Sequence, residues 1–394
     1  MAVTVTTRES WGSRLGGSIR GVVAGLGLFI AGFPVLFLNE GSSVKTAKAI
    51  DEGEGACVSV ESNATVDQEN NGKLVHMSGK ADTQDVLSDD TFGVSVTAIR
   101  LERQVEMYQW IEESKSHKQK KLGGSEETVT TYTYKKDWSS QVIDSSGFQE
   151  AGHDNPGVME YPSDKLLASN VKFGAFSLTP DQIGRIGSAQ DYRFPTNYVC
   201  KVARAKIVGT TIYVPNTKDR NSLLNLFDKS AQPRIGDMRV KFRVVYPHDI
   251  SLIAKQHGDT FVPYTAKNGK KLNYLAEGVQ DAAAMFETAR TNNAIMTWLV
   301  RIGGFLLMFI GLSMVLKPLS VLVDVLPILG DIVAMGMGLV AGLVAFICAL
   351  ATIAVAWIFY RPVLGATLLA VAGGGIGFLI WRRKSAKREP GVQA

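Results

Sequence analysis

Residues 21–38 read GVVAGLGLFIAGFPVLFL, eighteen positions without a charge. Arg8, Arg14 and Arg20 precede them, and Asn39-Glu40-Gly41 follows. As a helix the run rises about 27 Å, close to the ~30 Å hydrocarbon core of a bilayer. A cleaved signal peptide is the competing reading, because Ala47-Lys48-Ala49 has the small-residue pattern of a cleavage site. That site lies too far beyond the run, and the run exceeds a usual h-region, so an uncleaved anchor is expected.

Further apolar runs lie in the C-terminal third. Residues 302–316 are uncharged and continue an apolar stretch from Ala294, with Arg301 inside. Residues 332–360 and 363–381 are also uncharged, and Arg361-Pro362 separates them as a tight helical hairpin would require. Each is long enough to span. The expectation is four transmembrane helices, at 21–38, within 279–316, at 332–360 and at 363–381. Both termini then share one side. The tail 382–394 carries Arg382, Arg383, Lys384, Lys387 and Arg388, and the first twenty residues carry three Arg against one Glu. By the positive-inside rule both tails are cytoplasmic and residues 39–278 form an extracytoplasmic domain. The basic tail would also attract anionic lipid headgroups.

Composition agrees with this partition. The 394 residues hold 42 Lys and Arg against 37 Asp and Glu, a net charge of +5, yet almost all the charge lies between residues 40 and 290. A uniform soluble globule is excluded. So are a disordered chain, given 46% hydrophobic residues, and a disulfide scaffold, given three Cys. The small positive excess sits in the tails and does not point to nucleic acid.

The region 39–278 reads as α+β, weighted to strands. Residues 105–111 and 128–134 alternate in polarity and flank the polar stretch 114–127, which gives a β-hairpin with a long solvated tip. Further strands are expected at 198–208, 211–214, 238–246 and 272–275. In the 238–246 strand Arg239, Lys241 and Arg243 form a solvated face. From Val279 the period becomes helical, and no breaker intervenes before the second span, so one helix is expected over 279–316. Arg301 then lies in the outer third of its span, where it can snorkel. Residues 317–331 are bracketed by Pro318 and Pro327 and are too short to span; they read as a cytoplasmic-face re-entrant or interfacial segment, with Asp324 exposed at the headgroups.

Catalytic patterns are missing: there is no H-E-x-x-H, G-x-S-x-G, phosphate loop or C-x-x-C, and the five His are scattered. No cofactor or metal is expected, and no enzymatic activity. Cys57 and Cys200 both fall in the extracytoplasmic segment, where two buried thiols are expected in preference to a bridge. Small residues mark the spans. Gly17, Gly21 and Gly25 recur every four residues, as do Gly338 with Gly342 and Gly373 with Gly377, a spacing that lets helix backbones approach in lipid. The Gly17–Gly25 row is the candidate for contact between subunits, because the first span has no sequence-adjacent partner helix.

Several blocks in order resemble the transmembrane protein 43 (LUMA) family over nearly the whole chain. They are Asn39-Glu40-Gly41 with Lys45-Thr46-Ala47, Gly72-Lys73-Leu74-Val75-His76, and the stretch from Ala98 to Glu112 centred on Val105-Glu106-Met107-Tyr108-Gln109-Trp110. Trp138, Gly152-His153 with Asn155-Pro156, Gly236-Asp237-Met238-Arg239-Val240 and Gly258-Asp259 with Val262-Pro263 continue the pattern. Thr297-Trp298, Met308-Phe309 with Gly311-Leu312, and Phe359-Tyr360-Arg361-Pro362 complete it. Residues 165–232 depart from it. The resemblance implies a four-span protein with one large luminal domain. In animals the family is placed in the ER and inner nuclear membrane. It is linked there to homo-oligomers, to lamin and emerin, to organisation of membrane protein complexes and to membrane conductance. Bacterial members have no lamina to bind, and the Gly- and Ala-rich spans here suggest a bacterial member, hence a bacterial inner membrane.

The reading is an α+β membrane protein that acts as a self-assembling scaffold. Its expected partners are an anionic bilayer, further copies of itself and other membrane proteins. The alternative is an ion channel or conductance regulator, suggested by Arg301, Asp324 and the Pro-bracketed segment.

Overall fold

The computed structural model describes residues 2–61, 63–216, 233–324, 327–363 and 367, with the backbone alone for 327–330. The chain divides into two units. A strand-rich unit takes Met1–Thr7, Asp51–Lys118 and Thr128–Glu287; a helical unit takes Arg8–Ile50, Gln119–Glu127 and Thr288–Ala394.

In chain order, β1 (Ala2–Glu9) precedes α1 (Trp11–Ala56). Then come β2 (Val58–Ser59), β3 (Leu74–Asp82), β4 (Val86–Asp89), β5 (Val94–Thr97), β6 (Arg100–Lys120) and β7 (Glu126–Ser139). Next are β8 (Asp164–Leu167), β9 (Lys172–Phe173), β10 (Phe176–Ser177), α2 (Pro180–Arg185), β11 (Gln190–Asp191), β12 (Lys206–Val208) and β13 (Thr211–Val214). The last strands are β14 (Met238–Val245), β15 (His248–His257), β16 (Thr260–Val262), β17 (Tyr264–Thr265), β18 (Lys271–Leu272) and β19 (Tyr274–Glu277). Two long helices, α3 (Ala282–Val323) and α4 (Pro327–Tyr360), close the described chain.

The strand-rich unit is built on two main sheets. One runs β1-β7-β6-β14-β13-β12, with β11 beside β14 and β8 beside β6. Its centre is the antiparallel pair β6–β14, in which Val105 faces Val240 and Met107 faces Met238. These side chains and Phe242 and Val244 are buried, so alternation in sequence becomes one buried face of the sheet. The second sheet runs β19-β15-β16-β10-β9-β3-β2, with β15 also pairing β3. There β15 buries Ile250 through Ala254 without a break. Phe173, Phe176 and Phe261 fill the core beside it.

Several boundaries differ from the sequence reading. The first helix extends from Trp11 to Ala56, well past the apolar run on both sides, and carries Pro34 inside. The second long helix does not stop at 316. It continues through Pro318 to Val323, so the described part of 317–331 next to the second span is helix and turn. A proline removes one backbone donor, and flanking helical residues tolerate that loss within long apolar helices. The strand expected over 198–208 reduces to Lys206–Val208, and 272–275 becomes the two short strands β18 and β19. The basic face of β14 is engaged and not merely solvated: Arg239 pairs with Glu106 at 2.5 Å, and Arg243 donates to the Ala189 carbonyl at 2.5 Å. Among the described residues, three helices are long and apolar enough to cross a membrane: Trp11–Ala56, Ala282–Val323 and Asp331–Tyr360. The fourth expected span, 363–381, lies almost wholly outside the described residues.

Candidate functional site

Among the described residues, several ionisable groups of the helical unit gather into two clusters. The first is centred on Glu40 of α1, which is fully buried. Arg301 of α3 holds it through Nε at 2.6 Å and a terminal guanidinium nitrogen at 2.9 Å, a bidentate pair. Trp357 of α4 donates its indole N–H to the same carboxylate at 2.8 Å. The guanidinium lies 4.8 Å from the Trp298 ring and 5.8 Å from that of Trp357. One carboxylate therefore joins three helices.

The neighbours of Glu40 have matching tasks. Asn39 donates to the Thr297 carbonyl at 3.2 Å. Gly41 leaves room for the Tyr360 ring, which would stand 2.5 Å from a Cβ at that position. Thr297 donates to Ser43 at 2.7 Å. The Asn-Glu-Gly block, Thr297-Trp298 and Tyr360 thus meet at one place. Arg301 was expected to snorkel to water; instead it is sequestered by Glu40. The sequence reading missed Glu40, which it took only as the polar edge of a span. A buried Arg in one helix calls for a carboxylate in another, and that signal could have found it.

The second cluster is centred on Asp324, the residue after α3. It is buried and not exposed at headgroups, as had been expected. Arg14 reaches it at 2.5 Å and Lys120 at 2.7 Å. Lys120 also meets Asp331 at 2.8 Å, and Arg14 meets Glu126 at 3.4 Å. Burial opposes the charge on Lys120, but the hydrogen bonds it donates to the two aspartates outweigh it and raise its pKa above the usual lysine value.

Lys120 belongs to the hairpin tip, which is shorter and less solvated than the sequence implied. Both strands run on until only residues 121–125 turn, with Lys121 N–H bonded to the Ser125 carbonyl at 2.8 Å. Gly124 has φ +79°, where L side chains are strained, and Trp11 packs against it. Arg14 donates to the Gly124 carbonyl at 2.6 Å. The tip therefore lies at the Arg14 end of α1. Glu40 is about 39 Å away along the same helix at 1.5 Å per residue.

The glycines divide. A Cβ at Gly25 would stand 2.6 Å from the Gly311 carbonyl oxygen and 2.7 Å from Met314 Cβ, so Gly25 serves a close contact within the chain. Gly21 meets only Met314 Cε at 3.8 Å, and Gly17 and Gly338 meet nothing within 4 Å. Gly342 makes an ordinary contact with Phe309 at 3.6 Å. A Cβ at Gly32 would stand 2.4 Å from Met308 Cγ and 3.3 Å from the Gly304 carbonyl oxygen, and one at Gly304 would stand 2.5 Å from Leu36, a second close approach. Gly25 with Gly32, and Gly304 with Gly311, are each seven apart, so α1 and α3 cross antiparallel on a heptad; a search at spacing four does not find it. Gly373, Gly377 and the basic residues Arg382, Arg383, Lys384, Lys387 and Arg388 lie outside the described residues.

In the strand-rich unit, Arg103 and Asp89 form a buried ion pair, and His248 of β15 meets Glu277 of β19 at 2.5 Å. Burial raises the Glu277 pKa, but hydrogen bonds from Gly187 N–H, His248 and Ser188 outweigh it and hold the carboxyl below its usual 4.5. Cys57, Cys200 and Cys348 are free thiols, and burial pushes Cys57 up to about 11, away from reactivity. Among the described residues, no three His, Cys, Asp or Glu converge as metal ligands.

Comparison with known proteins gives a consistent result. A sequence profile of the family described as Transmembrane protein 43 matches residues 107–362. Transmembrane protein 43 of Rattus norvegicus is 32% identical over 381 residues, covering 94% of this chain and 92% of its own length. The Homo sapiens protein is 32% identical over 379 residues, covering 93% and 91%. The Drosophila melanogaster homologue is 29% identical over 377 residues, covering 93% and 94%. No solved structure matches.

Proposed function

The chain belongs to the transmembrane protein 43 family of membrane proteins, and on that premise we propose that it is an integral membrane scaffold that self-assembles and organises other membrane proteins. The observation that carries this reading is the use made of the charges in the helical unit. Glu40 and Arg301 are joined in a bidentate pair, and Asp324 is held between Arg14 and Lys120. A conduction path needs polar groups free to exchange with an ion and its water. Here these groups tie helices to one another, as an anchor requires. The protein turns over no substrate in this reading. Its partners are anionic lipid, its own copies and membrane proteins. Both tails face the cytoplasm, and the compartment is the inner membrane in a bacterium or the ER and inner nuclear membrane in a eukaryote.

Current recording from purified protein in planar bilayers tests it, with mass measurement in nanodiscs alongside. The expected outcome is a discrete multimer without reproducible unitary currents, for wild type, Asp324→Asn and Arg301→Gln alike. Unitary currents whose ion selectivity shifts with either substitution would replace the scaffold with an ion channel or conductance regulator.

A further inference from the structure

We propose that β1 is a strand-addition edge at which two copies of this chain join their sheets antiparallel across a two-fold axis. This rests on the self-assembly proposed above and names its surface. Among the described residues β1 is the last strand of its sheet, paired on one side with β7 and on the other with none. An outer edge of this kind presents a row of backbone N–H and C=O groups without partners. Natural edges are blunted by Pro, by Lys, by bulges or by shortness. Ala2–Thr7 has none of these protections: it holds no charge and no Pro, and five of its six residues are the β-branched Val3, Thr4, Val5, Thr6 and Thr7. Val3 and Val5 are half-buried on one face, while Thr4 and Thr6 are exposed on the other.

The sequence of the strand selects a second copy in antiparallel register. Pairing centred on Val5 sets Thr4 against the other copy's Thr6 and Val3 against its Thr7. These are β-branched and hydroxyl pairs of the kind that stabilise neighbouring strands. The charges Arg8 and Glu9 lie together at one end of the strand. Antiparallel pairing sends the two charged ends to opposite extremes of the junction. Parallel pairing would instead set Arg8 on Arg8 and Glu9 on Glu9. The antiparallel junction is isologous and closes on itself, so this edge gives a pair of copies and no open fibre.

The test uses the full chain in nanodiscs, with mass measured across a dilution series and amide hydrogen exchange read in parallel. The double variant Thr4→Lys and Thr6→Lys places like charges across the junction, on side chains exposed within one copy. Pair formation should weaken about tenfold or more. Exchange at the β6–β14 amides should stay as in wild type, which reports that the chain is still folded. Separately, Val5→Cys in a chain with Cys57, Cys200 and Cys348 replaced by Ser should form an oxidised dimer. Unchanged mass in the double variant, with no cross-link through position 5, overturns the β1 junction and leaves self-assembly through another surface standing. A wild type that is a single copy at every concentration overturns both. A co-purifying peptide that protects the β1 amides of a single copy overturns the second copy as occupant.

Discussion

A carboxylate without exposure is stable in a helical unit only while its cation stays in place. Removing one partner of a buried pair leaves the other charge uncompensated, at a cost of about 3–5 kcal/mol. Glu40→Ala should therefore destabilise the helical unit by roughly that amount, whereas Glu40→Leu combined with Arg301→Met should recover much of it. Unfolding in detergent followed by tryptophan fluorescence checks this, since Trp298 and Trp357 flank the pair. An unaltered midpoint for Glu40→Ala would mean that water reaches Arg301. The glycines separate in the same way. Gly25→Leu drives a side chain into the Gly311 carbonyl and should cost about 1–3 kcal/mol, as overpacking does. Gly21→Leu meets only the flexible end of Met314 and should leave the single chain stable. If both behave alike, the crossing of α1 and α3 is looser than its backbone separation implies. At this scale the residue types were legible in the sequence, but not their partners. Glu40 and Arg301 are 261 positions apart, and nothing local ties a carboxylate at the edge of one run to a guanidinium inside another.

Elements were legible where one face meets solvent. The alternation in β14 exposed it directly, and so did the helical period from Val279 that leads into α3. By contrast, β15 and the first half of β3 are buried on both faces and show no alternation, so their central place in the second sheet could not be read from period. The pair that ties β15 to β19 has its own signature. The Glu277 carboxyl is held below 4.5, so its contribution is fully present above pH 4.5 and is lost as pH falls through the lower folded value. Glu277→Gln should remove about 1 kcal/mol at pH 7, a modest figure because the group is partly exposed and screened. It should also flatten the loss of stability below pH 4.5. Urea unfolding at pH 7 and at pH 3.5 measures both. A variant as acid-sensitive as wild type would place that sensitivity elsewhere.

For the whole molecule, the spans at 21–38 and 332–360 were evident from charge-free length. The hairpin tip was not, because a polar, Gly-containing stretch reads as solvated until its docking partners are known. Its place beside Arg14 and Asp324 leads to a direct expectation. Leu122→Cys and Ser13→Cys, each in a chain without native Cys, should be labelled by an impermeant maleimide from the same side of oriented vesicles. Both positions are exposed, so accessibility does not limit the reaction. Labelling from opposite sides would mean that the tip leaves Arg14 when a bilayer is present.

The Glu40–Arg301 pair also sets a timetable for biosynthesis. The ribosome makes Glu40 first, and the guanidinium that neutralises it follows 261 residues later. At ~5–20 residues per second that interval is about 13–50 s. Throughout it a nascent α1 carries a lone carboxylate toward lipid, a state that insertion machinery or a transient cation must shelter. A chain that stalls before residue 301 never receives its partner. Such a fragment keeps an uncompensated charge beside hydrocarbon, a mark by which membrane quality control can tell it from the finished protein.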